Sequence, residues 1–145
     1  MLDERAEKCV IADEDGGILL GSYRGPHLEI VSFTCSGPRD ERHRYSFVRQ
    51  DSLHQAAAIK AWSNSNETVT FVGEWHTHPL GGPDPSASDL NSWSQLVRRA
   101  NNPMVFVVVA PERWALYLIR SGILRFRSKP LTRAEECELG AAFSD

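Results

Sequence analysis

The chain has 145 residues, a formal net charge of −3, 41 % hydrophobic and 24 % charged residues. With four Trp and six Phe it carries enough apolar mass for one real core, which excludes general disorder. Its mild acidity argues against nucleic acid held by bulk electrostatics, and its longest apolar run, Val105 to Ala110, is too short to cross a bilayer.

Five of the first eight residues are charged, and no secretory signal is visible. Ala6, Cys9 and Val10 at helical spacing predict a short helix from Asp3 to Ala12, broken by Asp15-Gly16-Gly17. Ile18 to Gly21 reads as a buried strand. Glu29 to Cys35 alternates as a second strand, and Arg44 to Val48 reads as a third. Ser52 to Trp62 has helical periodicity. Thr68 to Trp75 is β-like and runs into His76-Thr77-His78-Pro79, followed by a Gly/Pro loop from Leu80 to Pro85. Ser86 reads as the N-cap of a helix ending near Ala100. Pro103 to Ala110 reads as a strand buried on both faces. Ala115–Ile119 and Leu124–Phe126 predict a hairpin around Ser121-Gly122, and Leu131 to Leu139 a last helix. The expectation is one α/β (α+β) domain over 1–145, a central mixed sheet flanked by helices. Cys9, Cys35 and Cys137 lack C-x-x-C spacing and read as reduced small residues of a cytoplasmic protein.

The stretch that carries chemistry is His76-Thr77-His78, seven residues, Ser86, two residues, Asp89. Side chains at i and i+2 of a strand share a side, so His76 and His78 aim at one point. The following helix returns Asp89 to it. Two imidazoles and a carboxylate with an open fourth position suit a catalytic zinc, one per chain, which would bring the pKa of water towards ~7.

This pattern resembles the JAMM motif of the JAB/MPN zinc metalloproteases, which include deubiquitinating isopeptidases. The family also places a Glu before a strand reading G-x-L-x-G, and here Glu14 precedes Gly17-Ile18-Leu19-Leu20-Gly21. The resemblance implies a JAB/MPN-like, cytidine-deaminase-like three-layer domain. It makes His76, His78 and Asp89 the metal ligands and Glu14 the general base, then acid to the leaving amine. Glu29 also lies upstream; the offset from Ile18-Leu19-Leu20-Gly21 favours Glu14. Ser86 has two readings, a helix N-cap and, in the family, a donor to the oxyanion. The region before Glu14 is short, so the family's N-terminal strand and helix are expected to be incomplete.

The wording Glu-x-Gly-Gly-Ile-Leu-Leu-Gly, with Gly73 to Pro79 and Trp93, is similar to small bacterial JAB proteins of antiphage operons. That implies a peptidase removing a ubiquitin-like protein or its conjugate, beside operon-encoded activating and conjugating enzymes, with no membrane or nucleic-acid partner. The alternatives are a hydrolase acting on a sulfur-carrier protein, and a non-catalytic or DNA-repair-associated JAB module. An extended substrate tail added to exposed strand edges beside the metal is the expected binding mode. His27, His43 and His54 read as solvated or capping. Arg39, Arg42, Arg44 and Arg49 read as a solvated edge, with an acidic partner tail as the other reading. Trp62, Trp75, Trp93 and Trp114 read as core.

Overall fold

The computed structural model describes residues 13–111 and 113–120, and the backbone of 123–130. The helices expected at Asp3–Ala12 and Leu131–Leu139 lie outside the described residues, as do Cys9 and Cys137. Cys35 is a half-buried free thiol.

Among the described residues the elements follow in the order β1 Gly16–Arg24, β2 His27–Phe33, β3 Glu41–His43, β4 Ser46–Val48, α1 Ser52–Asn64, β5 Thr70–Thr77, α2 Ala87–Ala100, β6 Met104–Val109, β7 Trp114–Arg120 and β8 Ile123–Pro130. The main sheet runs β2-β1-β5-β6-β7-β8. Among the described residues only β5 and β6 are parallel, and α2 makes the crossover between them. This is the mixed sheet that the alternation of strand and helix patterns predicted.

Central position explains composition. Every residue of β6, Met-Val-Phe-Val-Val-Val, is buried, because both faces of the sheet are covered there. One face carries Met104, Phe106, Val108, Ala115, Tyr117 and Ile119, packed against Trp93 and Val97 of α2. The other carries Leu19, Val105, Val107, Val109 and Trp75. Leu90, Trp93 and Val97 fall at the spacing that lines one side of a helix. Trp93 stacks on Phe106 with ring centroids 4.5 Å apart. Asn101 closes α2 at φ 51°, a left-handed cap whose N–H donates to Val97 O.

Gly73 lets β5 and β6 approach: a Cβ there would overlap the Val105 carbonyl. Against β1, the register of β5 shifts between the pairs Leu19–Gly73 and Leu20–Phe71, which leaves Val72 bulged. Beyond the bulge, His76 lies opposite Val108 and takes the α2 face, while Trp75 takes the other face and is 1 % exposed. α1 lies against β1 and β5.

Three expectations need correction. Arg44 to Val48 is not one strand: β3 and β4 form a hairpin pairing Glu41 with Val48 and His43 with Ser46, and Arg44-Tyr45 is its turn. Alternation alone does not mark where such a chain reverses. Trp62 is not core: it and Ile59 stand exposed on α1. His54 is not solvated: it is 1 % exposed inside α1's contact with the sheet. The strand bearing the histidines is flanked by β1 and β6, and the strand edge at the cleft belongs to β4.

Candidate metal centre

β5 ends by delivering His76 and His78 to one place. His78 N donates to Val109 O at 2.8 Å, so the backbone stays strand-like through the second histidine. The imidazoles meet with Nε2 atoms 3.0 Å apart. Ser86 then starts α2 with a capping box, and Asp89 sits in its first turn. Asp89 Oδ1 is 3.5 Å from His76 Nε2, and Oδ2 is 3.5 Å from His78 Nε2. The three ligand atoms lie within 4.8 Å of one another.

These separations can be tested against a cation. Four ligands about 2.0–2.1 Å from a tetrahedral centre stand about 3.3 Å apart; the two nitrogens are 3.0 Å apart, and each has one Asp89 oxygen at 3.5 Å. The tautomer agrees. His78 Nδ1 lies 3.1 Å from Gly82 O, and a carbonyl only accepts, so Nδ1 carries a proton and Nε2 can offer its lone pair to the centre. A proton or a cation must lie between two such nitrogens at contact distance. The donor set fits a divalent metal.

Glu14 arrives from the other end of the sequence. Gly16 pairs with His76 in the β1·β5 ladder, and Thr77 N donates to Asp15 O at 2.8 Å. The antiparallel extension sets Glu14 beside the histidines. Its main chain is held by the hairpin: Glu14 N donates to His43 O at 2.9 Å, and Arg42 Nε donates to Glu14 O at 3.0 Å. Glu14 is 8 % exposed. Burial pushes its carboxyl up; His76 and His78 pull it back, and Asp89 adds to the rise. Asp89 has the opposite balance. Burial opposes its ionisation, but hydrogen bonds to His76, His78 and Ser86 outweigh it and hold the carboxyl far below the usual range. His78 is raised: burial works against its charge, and Asp89, the Gly82 carbonyl and Glu14 more than compensate.

All five site residues expected from sequence therefore line one cleft of about 700 Å³. Glu29 does not: it lies on β2, paired with Arg24 at 2.7 Å. Sequence reading missed the supports. Arg42 grips Glu14, which no pattern marked. His54 joins Thr34 Oγ1 at 2.6 Å and Asp40 Oδ2 at 2.8 Å, tying α1 to the end of β2 and the foot of the hairpin. Arg49 pairs with Glu74 at 2.5 Å in the lining of the cleft.

Residues 5–122 match the family model described as prokaryotic homologs of the JAB domain. The chain belongs to this family. Among its relatives, a Pseudomonas aeruginosa protein named CD-NTase/cGAS isopeptidase is 42 % identical over 107 residues, 72 % of this chain and 66 % of that protein, just under two thirds of its length. An Escherichia coli protein of the same name is 34 % identical over 80 % of this chain and 74 % of its own. A Sinorhizobium fredii relative named as a metalloprotease is 27 % identical over 70 % of this chain and 66 % of its own. The fold matches a solution structure of a Desulfitobacterium hafniense protein at TM-score 0.59 and 17 % identity, covering 90 % of this chain and 84 % of that one. The JAB domain is thus the prokaryotic form of the fold anticipated from Glu14, the His-x-His strand end and Ser86-x-x-Asp89. Among the described residues no helix is long and apolar enough to span a membrane.

Proposed function

We propose that this JAB protein is a zinc-dependent isopeptidase that releases a protein conjugate in a bacterial antiphage system. The observation that carries it is the His76–His78–Asp89 group with the buried Glu14 beside it. The relatives' names support an isopeptide bond as the scissile bond and a CD-NTase as the conjugated protein.

Bound to the three ligands, zinc would supply Lewis acidity that polarises the scissile carbonyl and acidifies water. The chain's own residues do the rest. Glu14 takes a proton from the attacking water as its oxygen bonds to the carbonyl carbon. The same carboxyl passes that proton to the lysine nitrogen as the C–N bond breaks. Burial suits it to both steps by drawing its pKa towards neutrality. The Ser86 hydroxyl can turn from Asp89 to the carbonyl oxygen as negative charge gathers there. β4, paired on one side only among the described residues, offers backbone groups to an extended substrate tail.

The test is to incubate zinc-loaded protein with a CD-NTase joined through its C-terminus to a lysine of a carrier, and to read the products by mass spectrometry. Zinc-dependent scission at that one bond is expected. An intact conjugate after prolonged incubation with metal present would overturn the reading.

A further inference from the structure

We propose that the cleft continues from the metal centre along α2 as a groove for an extended acidic segment of the protein substrate, recognised by Arg44 and Arg99. This rests on the reading of the site as one that acts on a protein. The cleft is lined along the whole length of α2, from Ser86 through Asp89, Ser92 and Leu96 to Arg99 in its last turn. Its opposite wall is the β3–β4 hairpin, with Arg44 in the turn and Phe47 and Val48 behind it.

Among the described residues the carboxylates and arginines lining this groove are Glu14, Glu74 and Asp89, and Arg44, Arg49 and Arg99. Glu14 and Asp89 belong to the metal centre. Glu74 is answered by Arg49. Among the described residues Arg44 and Arg99 form no ion pair, so two guanidiniums on facing walls remain for a ligand. The expected solvated arginine edge is therefore divided in its work: Arg42 and Arg49 serve the fold, and Arg44 looks onto the groove.

Length sets where the acid falls. Asp89 to Arg99 is ten residues, about 15 Å of helix at ~1.5 Å each. An extended chain advances ~3.3 Å per residue. A carboxylate at Arg99 is thus about four to five residues from the scissile bond. Between the charged ends, Phe47, Val48 and Leu96 offer apolar contact to the intervening side chains. Guanidinium forks match carboxylates in two-point geometry, which favours Asp or Glu over a neutral residue.

The experiment pans a random heptapeptide phage library against zinc-loaded Glu14→Gln protein, which binds without cutting. Asp and Glu should be enriched, and the enrichment should vanish when Arg44→Gln and Arg99→Gln are added. A fluorescent copy of a selected peptide should bind up to about fivefold more weakly when its Glu becomes Gln, the scale of an exposed ion pair. That difference should fade near ~1 M salt, where screening acts within about 3 Å. No acidic enrichment, or enrichment that survives loss of both arginines, would overturn the groove. Acidic enrichment in a protein that cleaves no conjugate would keep the groove and remove the isopeptidase. Cleavage with no acidic preference would do the reverse.

Discussion

Ser86 and Asp89 hold one another. Asp89 N donates to Ser86 Oγ at 3.1 Å, while Ser86 N and the Ser86 hydroxyl donate to Asp89 Oδ2 at 2.7 and 2.6 Å. The capping box that starts α2 is thus also the device that aims the Asp89 carboxylate at His76. Ser86→Ala should cost about 1 kcal/mol of stability through the lost cap, read in thermal denaturation. It should also weaken metal binding, because Asp89 loses one of its two Ser86 donors. Unchanged affinity in a metal-competition titration would separate the cap from the ligand.

Metal content tests the centre directly. The purified protein should hold about one zinc per chain, as a three-ligand site requires. His76→Ala and Asp89→Ala should each drop well below one equivalent by elemental analysis. Full occupancy in both would place the metal elsewhere.

Glu14→Gln should keep the zinc and lose turnover by on the order of 10²-fold or more, the scale of general acid–base catalysis. The side chain keeps its shape, and the main-chain hold from His43 and Arg42 does not depend on its charge. Loss of zinc in this variant would instead make Glu14 a ligand.

Cation and proton compete for His78. Its pKa lies above the ordinary 6.5, with Asp89 and the Gly82 carbonyl outweighing burial. Below that raised pKa a cation must displace a proton, so zinc affinity should fall as pH drops through it. Competition with a chromophoric chelator at several pH values measures this; a flat profile would contradict the coordination by His78.

Asp40 should govern acid stability. Its side chain is fully buried, and burial alone would raise its pKa. The N–H groups of Asp51, Gly37 and Gln50, with the His54 ring, bring it from 3.8 down to about 2. Because the folded value is depressed, the stabilisation is full above 3.8 and is lost as pH falls through about 2. It amounts to about 2 kcal/mol at neutral pH. Asp40→Asn should unfold more easily at pH 7 and lose most of its further decline below pH ~4, followed by urea denaturation.

Much of the site was legible because its signals are local. Strand parity puts His76 and His78 on one side whatever surrounds them. Ser86-x-x-Asp89 is a helix start by hydrogen-bond chemistry within four residues. The unbroken apolar run of β6 announces burial on both faces. Local patterns also left errors. The hairpin of β3 and β4 reads as one strand when only its second half alternates clearly. Trp62 looks like core because size and apolarity do not say which side of α1 meets the sheet. His54 looks like surface because its partners, Thr34 and Asp40, are 20 and 14 residues away.

The amino-acid sequence by itself determined the pair of imidazoles, the capped aspartate and the family to which they belong. Only the tertiary structure decided what stands around them. Glu14 reaches the histidines across 62 residues because β1 pairs with β5 in the register that matches Gly16 to His76. Strand pairing joins distant segments: the β1–β5 register shifts at the Val72 bulge, and Gly73 lets β6 lie close on the other side of β5. The same pairing encloses β5 between β1 and β6, leaving the hairpin as the open wall of the cleft. Periodicity and capping act within a few residues, whereas partner choice between strands is settled by the packing of the whole sheet.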